Sequence, residues 1–162
     1  MKRALPLVPD ETEALLWAPW RMLESDHDSF LEELLELEDL LKQGRSQQRY
    51  PASLVRRLTR FINDFESHMG SHFAAEEKAV FPFLRRHAPH LEGTLLFLIA
   101  EHESIRRTLA VWKRSFRKTK TSTALRGGEV SLSVQGLELV RLLRTHVERE
   151  SRIMRRFPSV AA

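Results

Sequence analysis

Two histidines and a glutamate follow one another at intervals of four residues within residues 67–82. They are His68, His72 and Glu76. On an α-helix this spacing places the three side chains on one face, about one turn apart. Imidazole and carboxylate groups together suit iron, zinc or manganese better than calcium. The stretch therefore predicts half of a metal site, and the rest of the chain must supply the other half.

The composition is that of an ordinary globular chain. Of its 162 residues, 42% are hydrophobic and 30% are charged, which predicts one domain with a full core. The absence of cysteine excludes disulfides, thiolate metal sites and a cysteine nucleophile, and it fits a reducing, cytoplasmic location. The longest apolar run covers only residues 95–100, so we expect no membrane segment. Prolines and acidic residues near the N-terminus also argue against a signal peptide.

The net charge is +4, and the excess of cations lies in residues 106–120 and 141–156. A basic surface can attract nucleic acid or anionic lipid. At so modest a net charge, a solvated helix face is the simpler interpretation. We therefore expect no nucleic-acid partner.

Apolar residues at alternating steps of three and four predict four amphipathic helices and no strand. The predicted helices span residues 21–43, 51–80, 91–120 and 131–157. The predicted inner seams are Leu23, His27, Phe30, Leu34, Leu37 and Leu41 on the first helix, Leu95, Leu98, His102, Ile105, Leu109, Trp112 and Phe116 on the third, and Leu139, Leu142, His146, Glu150, Ile153 and Phe157 on the fourth. Short connections between the helices predict an all-α fold, an up-down-up-down antiparallel four-helix bundle. We expect this bundle to occupy residues 21–158 and an N-terminal arm to occupy residues 1–20. In that arm, Trp17 and Trp20 would pack over one end of the core.

Five of the seven histidines fall on the inner seams of these helices. They are His27 on the first helix, His68 and His72 on the second, His102 on the third and His146 on the fourth. The second seam continues through Ala75 and Ala79 to a break or kink at Pro82. A lone seam histidine is more often a hydrogen-bonded core residue than a ligand. Five together would each be a costly polar group unless paired or ligated.

Distances from the helix ends indicate that one histidine of each helix lies in a common layer. At the rise of an α-helix, all four lie roughly 9 to 16 Å from the same end of the bundle. Glu76 and Glu150 follow one turn after His72 and His146, where carboxylates can bridge two ions. Five imidazoles, two such carboxylates and a bridging oxide or hydroxide leave one of about twelve positions on two octahedral irons open. Two are open if His68 does not bind the metal.

In this order and spacing, the residues resemble the hemerythrin-like cation-binding domain, or HHE, family over about residues 20–158. The resemblance rests on His27, on His72-x-x-x-Glu76 followed by Phe-Pro, on Glu101-His102 and on His146-x-x-x-Glu150. It implies a four-helix bundle that holds a non-haem di-iron centre with an oxo or hydroxo bridge, with zinc or manganese as other metals to consider. The metal ligands that we predict are His27, His68, His72, Glu76, His102, His146 and Glu150.

Two features differ from the oxygen-carrying members of that family. Those proteins have a second histidine one turn away on the third helix, where this chain has Leu98 and Arg106. They also end with a histidine and an aspartate five residues apart, whereas this chain has His146 and Glu150 four residues apart. We hypothesise that His68 supplies the missing imidazole. The departures favour sensing, repair or redox chemistry over reversible oxygen carriage.

We therefore predict an iron protein that binds, senses or reacts with O2, NO or peroxide, with a small diatomic molecule as its ligand. The alternative is a metal-dependent regulatory or interaction module without catalysis, in which a basic face of the third helix meets a partner. That face carries Lys113, Arg114, Arg117, Lys118 and Lys120. A histidine layer without metal conflicts with the cost of unpaired buried polar groups. The sequence contains no phosphate-binding glycine loop and no HExxH motif. It leaves open whether the protein is an enzyme and how many chains associate.

Overall fold

The computed structural model describes residues 11–47, 50–121 and 128–154, and these ranges are helical apart from short connections. No strand occurs in them, which confirms the all-α prediction. The elements are α1 (Glu11–Ser46), α2 (Ala52–Ala75), a π-helical segment (Glu76–Val80), α3 (Phe81–His87), a 3-10 turn (Pro89–Leu91), α4 (Glu92–Thr121) and α5 (Gly128–Met154). Among the described helices, none combines the length and the hydropathy that a membrane span requires.

The helices pack as a bundle, in which α1 and α4 each contact both α2 and α5. Two apolar clusters fill its interior. The larger cluster contains Phe65, Trp112 and Leu139, and the smaller contains Phe81, Leu95 and Ile153. The predicted histidine layer lies near the boundary of the two clusters. His102 and His146 lie between residues of the two clusters along their helices, and His27 and His72 lie at the edge of the larger cluster. A polar layer is therefore enclosed by hydrocarbon.

Burial confirms the predicted seam of the third helix in full. Its buried residues are Leu95, Leu98, His102, Ile105, Leu109, Trp112 and Phe116. On α1 the predicted seam is buried from His27 to Leu41, whereas the side chain of Leu23 lies outside the described residues. On α5, Leu142 is only half-buried and Leu143 takes the core position.

The second helix departs from its predicted seam at His68, which is only half-buried while Met69 takes the core position, and again after His72. Ala75 is exposed and Ala79 is half-buried, while Glu76 and Val80 are buried. The cause is the π-helical segment, in which the N–H of Phe81 donates to the carbonyl of Glu76, five residues earlier. The wider turn changes which residues face the core, and π-helical turns of this kind are frequent at functional sites.

Of the break or kink that we predicted at Pro82, the break does not occur. Pro82 lies in the first turn of α3, where the missing N–H of proline is tolerated. The helix therefore continues to His87.

The N-terminal helix is longer than predicted, since α1 begins at Glu11 rather than near residue 21. Half of the expected arm is thus helical backbone that continues into the bundle. Residues 1–10 and the side chains of Trp17 and Trp20 lie outside the described part of the chain. The packing of these tryptophans stays a prediction.

Gly136 lets α5 approach α1 and α4 closely. A Cβ atom at this position would lie 2.6 Å from Cδ1 of Leu41 and 3.1 Å from Nε1 of Trp112. The indole N–H of Trp112 donates to the carbonyl of Leu132 at 3.1 Å. A small residue is therefore required where these helices meet.

Candidate metal centre

Six ionisable side chains are buried together at the polar layer. They are His27, His72, Glu76, His102, His146 and Glu150, and none is more than 3% exposed. Burial of unpaired charges and polar groups is costly unless hydrogen bonds or metal ions compensate. The arrangement of their inner atoms shows which compensation fits.

Their metal-binding atoms form two groups, in each of which all the atoms lie within 4.8 Å of one another. The first group is His27, His72, Glu76 and Glu150, and the second is Glu76, His102 and His146. Glu76 belongs to both because its two oxygens diverge. Its Oε1 lies 3.1 Å from Nε2 of His72, and its Oε2 lies 3.2 Å from Nε2 of His102. This carboxylate is therefore oriented to bridge two cations.

Glu150 also spans the two groups. Its Oε2 lies 3.3 Å from Nε2 of His27 and 3.4 Å from Nε2 of His146. The Nε2 atoms of His102 and His146 are themselves 3.1 Å apart. All four imidazoles thus turn the same ring nitrogen inward, as side chains that share metal ions would.

The opposite nitrogen, Nδ1, has a polar partner in every case. Three partners are carboxylates, which we call the outer carboxylates: Asp26 at 3.1 Å from His72, Glu77 at 2.8 Å from His102 and Glu101 at 3.2 Å from His146. The fourth is the hydroxyl of Ser151, 3.3 Å from His27. A proton on Nδ1 leaves the lone pair of Nε2 directed into the centre, which is the form that binds metal.

The outer carboxylates also link neighbouring helices. Each outer carboxylate lies on one element and contacts a buried histidine on a neighbouring helix. It also contacts a second side chain of that helix, one turn from the histidine. The second contacts are Glu77 with Arg106 at 2.8 Å, Glu101 with Arg149, and Asp26 with His68 at 3.7 Å. The inward-facing ring nitrogens are therefore supported by a surrounding set of polar contacts, which restricts the orientation of the rings.

Buried atoms without a hydrogen-bond partner test whether a metal fits the site. Both carboxylate oxygens of Glu76, both of Glu150 and Nε2 of His27 have none among the described residues. These atoms are acceptors or potential acceptors, and they converge on one another. Leaving such atoms unsatisfied costs about 1–3 kcal/mol each, or more when they are charged. Cations between them would remove this cost, so the residues present fit a metal centre.

Burial and charge shift the protonation of the same residues. Desolvation lowers the pKa of His72 to about 4, and desolvation together with neighbouring His146 lowers the pKa of His102 to about 4. Both rings are thus neutral at pH 7. Desolvation and the charge of Glu150 raise the pKa of Glu76 well above its usual range. In the metal-free protein Glu76 therefore holds a proton that a cation would displace.

The two other carboxylates of the centre remain ionised. Burial acts to raise the pKa of Glu150, but its contacts with Glu76, His146 and His27 outweigh burial and lower the pKa. Burial likewise acts against the charge of Glu77, and hydrogen bonds from His102 and Arg106 lower its pKa. The metal-free centre thus carries negative charge and one displaceable proton, which favours uptake of cations.

Aromatic rings enclose the histidines. Phe73 stacks on His102 with ring centroids 3.8 Å apart, and Phe30 meets the ring of His72 edge-on at 4.9 Å. These contacts fix the imidazole planes and surround the polar layer with hydrocarbon. A low dielectric strengthens the interaction between the carboxylates and any bound cation.

His68 does not join either group of ligand atoms. Its Nδ1 lies 3.1 Å from Oε1 of Glu33, its Nε2 lies 3.7 Å from Oδ1 of Asp26, and its side chain is 29% exposed. The buried face of α2 runs through Phe65, Met69 and His72, so position 68 falls on the flank towards α1. The structure therefore gives no support to a direct metal contact from His68.

Sequence reasoning missed the outer carboxylates as a set. Each is the immediate chain neighbour of a predicted ligand: Asp26 precedes His27, Glu77 follows Glu76 and Glu101 precedes His102. A residue next to a seam position lies on the flank of its helix and faces the adjacent helix. Carboxylates at such positions were the available signal.

The fold and the site together define a helical bundle with buried histidine and glutamate groups that fit metal cations. A family model described as the hemerythrin HHE cation binding domain matches residues 18–158. The chain belongs to this family. No curated protein and no solved structure gives a significant match.

Proposed function

We propose that the protein is a non-haem di-iron protein that binds, senses or reacts with O2, NO or peroxide. The carboxylate of Glu76 is the observation that carries this proposal, because its two oxygens face histidines of two separate ligand groups. A single-ion site would not need this arrangement. Iron fits the mixture of imidazole and carboxylate ligands, and zinc or manganese are the competing metals.

The ligand assignment that we propose follows the two groups. His27, His72, Glu76 and Glu150 hold one ion, and Glu76, His102 and His146 hold the other. Bound iron would supply redox chemistry and a binding position for a small ligand. The protein contributes ligands that cannot fill all of about twelve positions on two octahedral ions, so room remains for a diatomic molecule.

The protein groups around the centre orient the ligands and exclude water. The outer carboxylates hold the proton on Nδ1 of three histidines, and Ser151 contacts the fourth. Phe73 and Phe30 cover the rings of His102 and His72. These roles support binding of a small ligand in a dry, preorganised pocket.

We also infer an up-down-up-down arrangement of the long helices. It is supported by contacts in which residue numbers fall on one helix as they rise on its neighbour. The contacts are Asp26 with His72 and Glu36 with Arg57, His27 with Glu150 and Leu41 with Ser133, Glu77 with His102 and Glu66 with Lys113, and Glu101 with Arg149 and Leu132 with Trp112. Two further points stay predictions. One is the division into an arm over residues 1–20 and a bundle over residues 21–158, and the other is a cytoplasmic location.

The alternative is a metal-dependent regulatory module whose basic face meets a partner. Lys113 belongs to that face in sequence, but it pairs with Glu66 of α2 and its side chain is only 18% exposed. This pairing with a surface carboxylate neutralises one of the charges on that face. Salt-sensitive binding to a nucleic acid would favour the alternative.

Absorption spectroscopy of the iron-loaded protein tests the proposed chemistry. We expect at least one of the molecules O2, NO and peroxide to change the spectrum when it is added to the anaerobic, reduced protein. A spectrum that none of these molecules changes would contradict the reactivity and leave a structural or regulatory role for the metal. Zinc-loaded protein is the matched control, because Zn²⁺ has no redox chemistry.

Substitution of the assigned ligands tests the site itself. We expect His72→Ala or Glu150→Ala to weaken iron binding by at least about 100-fold, since the loss of a supporting residue alone costs about 10- to 100-fold. His87→Ala is the control, because His87 is exposed and bonds to the carbonyl of Phe83. Equal effects of the three substitutions would refute the assignment.

A further inference from the structure

One of the three outer carboxylates is held differently from the others. Glu77 and Glu101 each contact an arginine in addition to a buried histidine. Those arginines stand one turn from the histidine on the same helix. At Asp26 the corresponding position is taken by His68, one turn before His72 on α2. No role in the metal centre described above accounts for this histidine.

We propose that His68 is a positioning residue that holds Asp26 against His72. It does for Asp26 what arginines do for the other outer carboxylates. The inference rests on the proposed function, because it gives His68 a part in orienting a metal ligand. It replaces the hypothesis that His68 itself binds the metal.

His68 is fixed in the orientation that this role requires. Its Nδ1 lies 3.1 Å from Oε1 of Glu33, and its ring lies against Phe30 with centroids 4.3 Å apart. These contacts direct Nε2 towards Oδ1 of Asp26 at 3.7 Å. The carboxylates of Glu33 and Asp26 thus face both ring nitrogens of His68.

Asp26 depends on this neighbour. Among the side chains that the structure describes, it contacts His72 and His68, and its own side chain is 29% exposed. Without His68, the carboxylate would gain access to water and lose one of its two contacts with α2. His72 would then lose the partner that keeps the proton on Nδ1 and Nε2 free for the metal.

The first test is which ring nitrogen of His72 carries the proton in the metal-free protein, with and without His68. Long-range ¹H–¹⁵N correlation spectra near pH 6.5, with histidine labelled, distinguish the two neutral forms of the ring. We expect the proton on Nδ1 in the unaltered protein. His68→Gln should raise the Nε2-protonated fraction of His72 several-fold. This readout needs no metal and no activity.

A double-mutant cycle with Fe²⁺ under anaerobic conditions tests whether His68 acts through Asp26. We expect Asp26→Asn to weaken binding about 10- to 100-fold and His68→Gln to weaken it about 10-fold. In the Asp26→Asn background, His68→Gln should add nothing, because the residue through which it acts is already lost. Calorimetric titration gives the affinities.

His87→Gln is the matched control. Like His68, His87 lies against a phenylalanine, with centroids 4.1 Å apart, and bonds through Nδ1, at 3.0 Å from the carbonyl of Phe83. It is remote from the ligand groups, so neither readout should change. Circular dichroism verifies folding, and His68→Asn serves if His68→Gln does not fold.

The outcomes separate three conclusions. An unchanged ring proton and an unchanged affinity in His68→Gln would overturn the proposal. An undiminished effect of His68→Gln in the Asp26→Asn background would also overturn it and return His68 to the metal ligands. If the unaltered protein binds no Fe²⁺, the proposed function fails, and the spectra of the metal-free protein still decide the role of His68.

Discussion

At the scale of single residues, Glu76 is the group on which the centre depends most. Its side chain is fully buried, its oxygens face two different histidines, and neither oxygen has a donor among the described residues. Such a group serves a metal and weakens the metal-free fold. Stability and metal binding should therefore respond oppositely to its removal.

Glu76→Gln should stabilise the metal-free protein at pH 7. Burial and Glu150 raise the pKa of Glu76 above its usual range. The native state therefore keeps a proton that the unfolded chain releases, and stability is lost as the pH rises above the ordinary carboxyl pKa. Glutamine removes this loss. Urea unfolding of chelator-treated protein measures the difference.

The same substitution should abolish tight iron binding, because an amide cannot replace a bridging carboxylate. Glu103→Gln on the exposed surface of α4 is the control and should change neither quantity. A Glu76→Gln protein that is less stable without metal, or that still binds iron tightly, would contradict this account of the residue.

The buried histidines predict a loss of stability in mild acid. Desolvation lowers the pKa of His72 and of His102 to about 4 in the folded state, against an ordinary value of 6.5. Between these values the unfolded chain binds more protons than the native state. The free energy of unfolding should thus be constant above about pH 7 and fall by about 2 kcal/mol by about pH 5.5.

The Glu76→Gln background isolates this effect, since the opposite contribution of Glu76 is then absent. Urea unfolding of the metal-free variant across this pH range measures it, and His87→Gln should leave the profile unchanged. A free energy of unfolding that stays constant down to pH 5.5 would show that these rings are not held neutral.

At the scale of the elements, close packing of α5 is set by Gly136. An alanine Cβ would lie 2.6 Å from Leu41, which is fully buried. We expect Gly136→Ala to cost about 1 kcal/mol or more, because overpacking outweighs the gain in helix propensity. Gly70 lies on an exposed face of α2 with no atom within 4 Å of such a Cβ.

Gly70→Ala is therefore the matched control and should stabilise by about 0.5–1 kcal/mol. Thermal unfolding of both variants compares one substitution in two environments. Equal shifts of the midpoint, or a Gly136→Ala protein as stable as the unaltered protein, would show that the helices do not meet as closely as described.

The buried side of α4 could be predicted from the sequence, because its side chains follow one uninterrupted periodicity from Leu95 to Phe116. On the second helix the predicted seam fails at His68, where Met69 is buried instead, and it holds again only at His72. Beyond it, the π-helical segment changes the spacing, and Glu76 and Val80 replace Ala75 and Ala79 in the core. Apolar periodicity alone does not reveal a widened turn.

The site shows the same division. The six buried polar residues could be identified because each interrupts an apolar seam or follows a histidine by one turn. The contacts of Asp26 with His68 and His72 depend on which side of α2 faces α1. The spacing of apolar residues along one helix does not determine this. Contacts between helices, rather than pattern along one helix, determine the outer residues.

At the scale of the whole molecule, the polar layer joins all of the long helices. The buried histidines and glutamates that could hold metal come from α1, the path of α2 and its π-helical segment, α4 and α5. Metal that binds only the folded chain stabilises it by mass action, by about 4 kcal/mol at a thousandfold excess over the dissociation constant. The proposed function thus requires the bundle to hold two iron ions.

Elemental analysis of protein purified with iron supplied, with an absorption spectrum recorded alongside, tests this claim most directly. We expect about two irons per chain and an oxo-bridge band in the near ultraviolet, because Glu76 and Glu150 each span two ligand groups. One ion per chain, or zinc in place of iron, would contradict the di-iron assignment. Protein that purifies folded but without metal, although iron was supplied, would contradict the metal centre altogether.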